Sequence, residues 1–315
     1  MPRMPVFCNL LLVILLAGLV FPDQSLAWGP GAHMVTGNWI LQNLSALPIP
    51  VAVALMRYPG QFLHGALSAD IFIGKGSRAK KGHSHNWESG FSLLAKADTL
   101  SRMAYAYGYL AHLAADTVAH NVFVPGLLHT IPGSGRIAHV YLEIQADRLL
   151  SWDKADALGV FREKVSPKMA AMLRASMRQK ALPFWIKTHL FRKSISLGGS
   201  PFWRGSMRLL DSLVPEHERS KLLDRMLTLS TRAIADVLQK KEDSEILTLD
   251  PIGADALAQA RTPHRTDLLV RGVKDGLLRA LPGRQASGSI EMPELHIAVP
   301  SLLERIPPVC TIERK

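Results

Sequence analysis

The stretch that decides the fold is residues 102–123, RMAYAYGYLAHLAADTVAHNVF. It is rich in Ala, Leu and Tyr and apolar on nearly every side, which is typical of a buried helix. His112, Asp116 and His120 are spaced four and four within it. That spacing keeps the three side chains on one face of a helix. The sequence therefore predicts a central buried helix that carries one polar seam.

The polar seam points to a cation. Burying three such groups without partners is costly, so they must be hydrogen-bonded or bound to a metal ion. His112 and His120 start about 12 Å apart along the helix axis. A single zinc ion, with bonds of about 2 Å, would struggle to take both imidazoles. Two ions with Asp116 between them fit more easily, because a carboxylate has two oxygens to share.

Further candidate ligands lie on both sides of this helix, and eight of the twelve histidines fall between residues 33 and 139. Downstream, His139 and Glu143 form a second i, i+4 pair that can join His120 in a three-ligand site. Three protein ligands leave zinc an open coordination position, as hydrolytic catalysis requires. Upstream, Asp70 and His85 offer two more ligands. Each of these two is a weak signal alone, because an isolated Asp or His is more often a cap or a surface residue.

The first 27 residues read as a signal peptide. A short basic region precedes an uncharged apolar run from Leu10 to Phe21, and Ser25-Leu26-Ala27 is a small-x-small cleavage signal. The apolar run is shorter than the roughly 20 residues that a spanning helix needs. We expect cleavage between Ala27 and Trp28 and export to the periplasm or the medium.

Cleavage there would expose a new terminal amine. The α-amine of Trp28 would have a pKa of about 8, so that amine and carbonyl oxygen could chelate a metal together. His33, five residues further on in WGPGAH, would then be a neighbouring ligand. The alternative is an ordinary aromatic N-terminus. Cys310 would be the only remaining cysteine, which excludes an intramolecular disulfide.

The composition bounds the class of protein. The chain has 315 residues, 48% of them hydrophobic and 20% charged, which excludes intrinsic disorder and a collagen-like fold. Its formal charge of +11 favours an acidic partner. Residues 162–208 hold eleven bases and one acid, Glu163, interleaved with aromatic residues. This segment suits an anionic membrane surface or single-stranded nucleic acid. Alternatively, it is an amphipathic helix pair with buried aromatics and solvated charges.

Helical periodicity dominates the rest of the chain, and alternating strand patterns are scarce. The sequence therefore predicts an all-α fold. The segments with apolar residues at three-to-four spacing are 34–44, 136–150, 153–180, 205–213 and 216–240.

The ordered motifs W-G-x-G-x-H, an Asp, H-N-W, H-x3-D-x3-H and H-x3-E resemble the bacterial zinc-dependent phospholipase C family. The pattern is more distantly similar to clostridial α-toxins, to glycosylphosphatidylinositol-specific phospholipase D and to fungal single-strand nucleases. The resemblance implies an all-α multi-helix bundle around a three-zinc cluster. It also implies a catalytic domain at 28–210 after the signal peptide at 1–27, followed by a helical extension at 211–315.

The resemblance assigns the ligands motif by motif. His83 competes with His85, which we prefer because Asn86-Trp87 follows it. Asp70 and Glu143 are the candidate catalytic residues, and for Asp70 we favour a ligand role over that of general base. The implied zinc sets are Asp70, His85, His112 and Asp116; Trp28, His33 and the shared Asp116; and His120, His139 and Glu143.

Together these features predict an exported zinc-dependent phosphodiesterase that hydrolyses phospholipids with a metal-activated water. The first alternative is a zinc phosphodiesterase of the single-strand nuclease type, with nucleic acid the less favoured partner. The second is a non-catalytic zinc-binding or membrane-binding module.

Overall fold

The computed structural model describes residues 28–71, 84–128, 142–143, 145–161, 171, 188–189, 191–193, 195, 216–260 and 301–305. The predicted signal peptide, the alternative ligand His83, the predicted ligand His139 and most of the basic segment 162–208 lie outside these residues.

All regular secondary structure in the described ranges is helical, which confirms the predicted all-α fold. The helices are α1 (Pro30–Gln42), α2 (Ile49–Arg57), α3 (Pro59–Ser68), α4 (Trp87–Ala95), α5 (Leu100–Val118), α6 (Val124–Leu128), α7 (Lys154–Val160), α8 (Glu216–Lys240), α9 (Ala254–Ala260) and α10 (Ser301–Arg305). Short 3₁₀ turns follow α1, α3 and α8, and a π turn, Ala119–Phe123, follows α5. Residues 142–143 and 145–149 are also helical.

Helix α5 forms the centre of the bundle. Every residue from Ala104 to Val118 is buried, as the uninterrupted apolar character of this stretch predicts. The Thr99 side chain caps the helix by accepting a hydrogen bond from the Arg102 amide at 3.4 Å. Helix α5 packs most extensively against α3 and α8, with α4 and α2 completing its surroundings. Its two polar ligands are therefore enclosed by other helices.

Two glycines allow α3 and α5 to cross closely. A Cβ added to Gly65 would lie 2.0 Å from the Tyr105 carbonyl oxygen, and one added to Gly108 would lie 1.9 Å from the Phe62 carbonyl oxygen. The opposing atoms belong to backbone, which has little freedom to move aside. This crossing sets the distance between the helices that lead to Asp70 and to His112.

Gly108→Ala is expected to lower the free energy of unfolding by about 3 kcal/mol, because overpacking a helix crossing forces the backbones apart. Denaturant titration of the purified variant would measure the change. Gly159→Ala in α7 is the matched control, since nothing lies within 4 Å of its added Cβ. The control should be neutral or slightly stabilising, because alanine is the better helix former. Equal unfolding free energies for the two variants would contradict the tight crossing.

Helix α8 has the bounds that the sequence predicts, and it joins the core around α5. In its first half the buried positions recur at three-to-four spacing, so one face packs inward, whereas from Leu229 to Leu238 nearly every residue is buried. The buried residues of α8 include Leu223, Met226, Leu227, Ser230, Ala233, Ile234, Val237 and Leu238. Helix α1 begins four residues earlier than predicted, at Pro30.

In the part of the chain that the structure describes, no helix combines the length and the apolar character that crossing a bilayer requires. The described residues of the basic segment show an amphipathic arrangement. Phe191 is buried against Phe161, with ring centroids 5.7 Å apart, while Arg192 and Lys193 are exposed.

Candidate metal centre

Five of the predicted metal ligands converge at the centre of the bundle, and each is at most 3% exposed. They come from four places along the chain: α1, the turn after α3, the residues before α4, and α5. The converging ligands are His33, Asp70, His85, His112 and Asp116.

Asp116 joins the ligands together through both of its oxygens. Its Oδ1 lies 3.3 Å from His33 Nε2. Its Oδ2 lies 3.3 Å from His85 Nε2 and 3.2 Å from His112 Nε2. The structure thus places His33 on one side of this carboxylate and the other two histidines on its second side. The position of His33 follows the ligand sets that the family resemblance implies, whereas the spacing within α5 placed Asp116 between His112 and His120.

Asp70 closes the second side of the cluster. Its Oδ1 lies 3.3 Å from His85 Nε2 and 3.7 Å from His112 Nε2. The ligand atoms of His33, Asp70 and His112 lie within 4.8 Å of one another, as do those of His85, His112 and Asp116. Both groups therefore have the size of a metal site.

Hydrogen bonds to the outer ring nitrogens orient two of the histidines. His112 Nδ1 lies 2.8 Å from the Ala66 carbonyl oxygen. A carbonyl only accepts, so Nδ1 carries a proton, and Nε2 is the ring nitrogen that faces the cluster. His85 Nδ1 pairs with Ser84 Oγ at 3.0 Å, and the Tyr109 hydroxyl holds the Ser84 carbonyl in turn.

The cluster fits a bound cation. Among the described residues, neither the Asp116 carboxylate oxygens nor His33 Nε2 has a hydrogen-bond partner, although all three atoms are buried. Leaving such atoms unsatisfied is costly, and a metal ion would satisfy them at once. Imidazole nitrogens and carboxylate oxygens are the ligands that zinc takes in proteins. These residues therefore fit zinc.

The protonation states also suit a metal. Burial opposes ionisation of Asp116, yet attraction to His112, His33 and His85 holds the pKa of this carboxyl well below its usual range. Burial, together with the charge of His112, lowers the pKa of His33. At neutral pH the aspartate is thus ionised and His33 is neutral, which are the forms that bind zinc.

A family model described as zinc-dependent phospholipase C matches residues 32–182. Through this segment, just under half of its length, the chain is similar to the zinc-dependent phospholipase C family. The match contains all five converging ligands, and it confirms the family resemblance of the motifs. No curated protein and no solved structure matches the chain.

The remaining predicted ligands are not members of these two groups. His120 and Glu143 are buried, at 0% and 3% exposure. Neither belongs to the groups of ligand atoms that meet within the described residues, and His139 lies outside those residues. The third zinc set therefore stays a prediction.

Trp28, which lies just before the family match begins, is buried between helices. Its indole N–H is shared between the Ala115 carbonyl, at 3.0 Å, and Ser230 Oγ, at 3.1 Å. Its ring stacks on Phe123 with centroids 4.8 Å apart. The side chain is 0% exposed, so this position is fixed between α5, the π turn and α8. Sequence reasoning did not find Ser230, which lies 202 residues from its partner.

The π turn that carries His120 was also not predicted. Its i→i+5 bonding interrupts the helix that the four-residue spacing assumes. Asn121 Nδ2 donates to the Asp250 carbonyl at 2.8 Å. Gly253 has φ +56°, and a Cβ there would lie 2.3 Å from the His120 carbonyl oxygen. A turn beyond the family match thus supports the backbone of His120, and only glycine fits it.

Asp147 is a further, partly buried acid that sequence reasoning missed. Burial raises its pKa to about 7, against the opposing effect of the Gly31 and Ala32 amides and of Lys154. Its spacing of four residues from Glu143 is the signal that could have revealed it, because the two side chains share a helix face.

Proposed function

We propose that the protein is an exported zinc-dependent phosphodiesterase of phospholipase C type that hydrolyses phospholipids. The observation that carries this proposal is Asp116, a buried carboxylate with each oxygen facing a different side of a histidine cluster. The match of residues 32–182 to a family model described as zinc-dependent phospholipase C supports the choice of zinc and of a phospholipid.

The residues that would hold zinc follow the three predicted sets. Zinc, when bound, lowers the pKa of a water ligand toward 7 and neutralises charge developing on a phosphodiester. Asp116 supplies a negative charge, and His112 would bind through Nε2, because its Nδ1 donates to the Ala66 carbonyl. Asp70 lies within reach of two histidines, which favours its role as a ligand.

Trp28 would complete the second set through its terminal amine and carbonyl oxygen, once the signal peptide is removed. The fixed indole and the position of Trp28 directly before α1 support this role, because little freedom is left to the backbone between Trp28 and His33.

The substrate class can be tested with phosphatidylcholine vesicles, single-stranded DNA and single-stranded RNA, offered separately to purified mature protein of measured zinc content. We expect release of a phosphorylated headgroup from the vesicles and no nucleotides from either nucleic acid. Nucleotide release without lipid cleavage would overturn the phospholipid substrate. Bound zinc with no cleavage of any substrate would instead identify a binding module.

Glu143→Gln is expected to lower phospholipid turnover by about 10- to 100-fold, in the range seen when residues that support a metal site are changed. The amide keeps the shape of the buried side chain and removes its charge. Initial rates and zinc content would be measured together. Glu245→Gln is the control, since its side chain is 64% exposed and pairs only peripherally with Arg305. Unchanged turnover in Glu143→Gln would remove this residue from the mechanism.

One residue added before Trp28 is expected to reduce zinc content by about one ion per chain and to lower turnover, because the terminal amine would be displaced. Mass spectrometry of the intact metalloprotein would count the ions. The same residue added after Lys315 serves as the control. A fully loaded and fully active N-terminal variant would refute the backbone-ligand role of Trp28.

A further inference from the structure

Helix α1 begins without a cap of its own. Its N-cap residue, Gly29, has no side chain, and no acidic residue lies in the first turn. The first amides of a helix need acceptors, which an Asp, Asn, Ser or Thr at the N-cap usually supplies. The start of α1 must therefore find its acceptors elsewhere.

Asp147 supplies them from a distant part of the chain. Its Oδ2 accepts from the Gly31 amide at 2.9 Å, and its Oδ1 accepts from the Ala32 amide at 3.0 Å. A carboxylate at a helix N-terminus is also favoured by the helix dipole. One side chain, 115 residues or more away along the sequence, thus caps α1 with both of its oxygens.

The glycines of the WGPG sequence make room for this contact. A Cβ on Gly29 would lie 2.4 Å from Asp147 Oδ2, and one on Gly31 would lie 2.4 Å from Trp152 Nε1. The Trp152 indole donates to the Asp147 carbonyl at 3.1 Å. Both glycines face the segment that contains Asp147. A side chain at Gly29 that could cap α1 locally would occupy the space of the Asp147 carboxylate, which caps α1 instead.

The contact joins the helix that carries His33 to the segment of the predicted ligand Glu143. On one side, α1 follows Trp28 directly and carries His33 next to Ala32. On the other side, Asp147 stands one helical turn beyond Glu143. The N-terminal ligands and the segment of Glu143 are thus held to each other by this carboxylate.

We propose that Asp147 is a positioning residue that clamps residues 28–33 onto the segment of Glu143 and so fixes the N-terminal metal ligands. The metal identity rests on the proposed function, whereas the clamp itself is a property of the chain. A cap alone would stabilise α1 wherever it comes from, but only a distant cap also sets the position of α1 relative to Glu143.

This difference gives a direct test. Asp147→Ala removes both the cap and the clamp. Adding Gly29→Ser to that variant restores a local cap, because the atoms nearest to a Cβ at Gly29 all belong to the Asp147 side chain. Gly29 has φ −72° and ψ 170°, an ordinary N-cap conformation that serine adopts. Melting temperature and zinc affinity, measured by competition with a chelating dye, are compared in the mature protein.

We expect Asp147→Ala to lower the melting temperature and to weaken one zinc site by about 10- to 100-fold. The double variant should regain the melting temperature and keep the weakened zinc site. Recovery of both properties would show a simple cap and overturn the proposal, as would full zinc affinity in Asp147→Ala. If Asp147→Ala does not fold, Asp147→Asn, which keeps one acceptor oxygen, is measured alone, without Gly29→Ser, since a Cβ at Gly29 would clash with the asparagine side chain; full zinc affinity in Asp147→Asn would overturn the proposal. Zinc binding is measured without substrate, so a wild-type protein that binds zinc but cleaves no phospholipid would remove the proposed function and leave this test intact.

Discussion

Asp116→Asn is expected to reduce phospholipid turnover by about 10³-fold or more, because it removes the charge on which two ligand sets converge. The amide has nearly the same shape, so the helix packing around it should persist. Its nitrogen cannot bind zinc as a carboxylate oxygen does, and it would face either His33 or the pair formed by His85 and His112. Initial rates and zinc content of the purified variant would measure both losses.

A matched control for this substitution lies in α8. Asp236 is also buried, at 4% exposure, and its partners are Ser244 Oγ at 2.6 Å and Lys240 Nζ at 2.7 Å. Asp236→Asn should lower the melting temperature while zinc content and turnover stay at the wild-type level. Full zinc content and full turnover in Asp116→Asn would sink the proposed mechanism.

The centre of the fold could be predicted because its signals are local. The stretch 102–123 is apolar on nearly every side, so a helix formed by it is buried in any packing, and α5 is buried accordingly. Its four-residue spacing places His112 and Asp116 on one face without any tertiary information.

Asp70 and His85 show the limit of local reasoning. Neither residue carries a signal in its own surroundings, and only the order of motifs along the chain, through the family resemblance, made them ligands. Their approach to His112 depends on how α3 crosses α5, which the two glycines Gly65 and Gly108 determine. A close approach of backbones leaves no periodic pattern in the sequence.

The features that escaped prediction are contacts between distant segments. Asp147 caps α1 from 115 residues away, and Ser230 reaches Trp28 across 202 residues. The π turn at His120 depends on support from Asp250 and Gly253, which belong to a turn after α8. Such contacts are set by the packed structure, so propensity and spacing along one segment do not reveal them.

The net positive charge of the chain, +11, does not lie at the cluster of metal ligands. The converging ligands carry two carboxylates and no lysine or arginine, so phosphate would meet metal ions there. Most of the basic segment 162–208 lies outside the described residues, and a membrane surface stays a prediction. Phe191, which is buried in the core, favours the amphipathic-helix interpretation at that one position.

Removing zinc with a chelator is expected to lower the melting temperature by about 10 °C and to abolish turnover. Zinc at 1,000 times its dissociation constant stabilises the folded chain by about 4 kcal/mol, and each kcal/mol shifts the midpoint of a domain this size by about 2–4 °C. Calorimetry before and after chelation would measure the shift, and added zinc should restore both properties. Asp116→Asn should show a much smaller chelator effect. An unchanged melting temperature in wild-type protein that has lost its zinc would contradict a structural role for the metal.

The stabilisation of the fold by zinc should decrease as the pH falls. Protonation of the imidazoles, rather than of Asp116, should cause this decrease. The pKa of Asp116 lies well below its usual range, so this carboxylate stays ionised while histidines take up protons. Protons and zinc compete for the same imidazole nitrogens, and zinc affinity therefore falls as the pH falls. Because burial lowers the pKa of His33, this ligand should remain neutral to a lower pH than an exposed histidine. We expect the chelator-induced shift to be large at neutral pH and to shrink in more acidic buffers. If the chelator-induced change in melting temperature kept the same size over that pH range, histidine ligands would be excluded as the cause of the stabilisation by zinc.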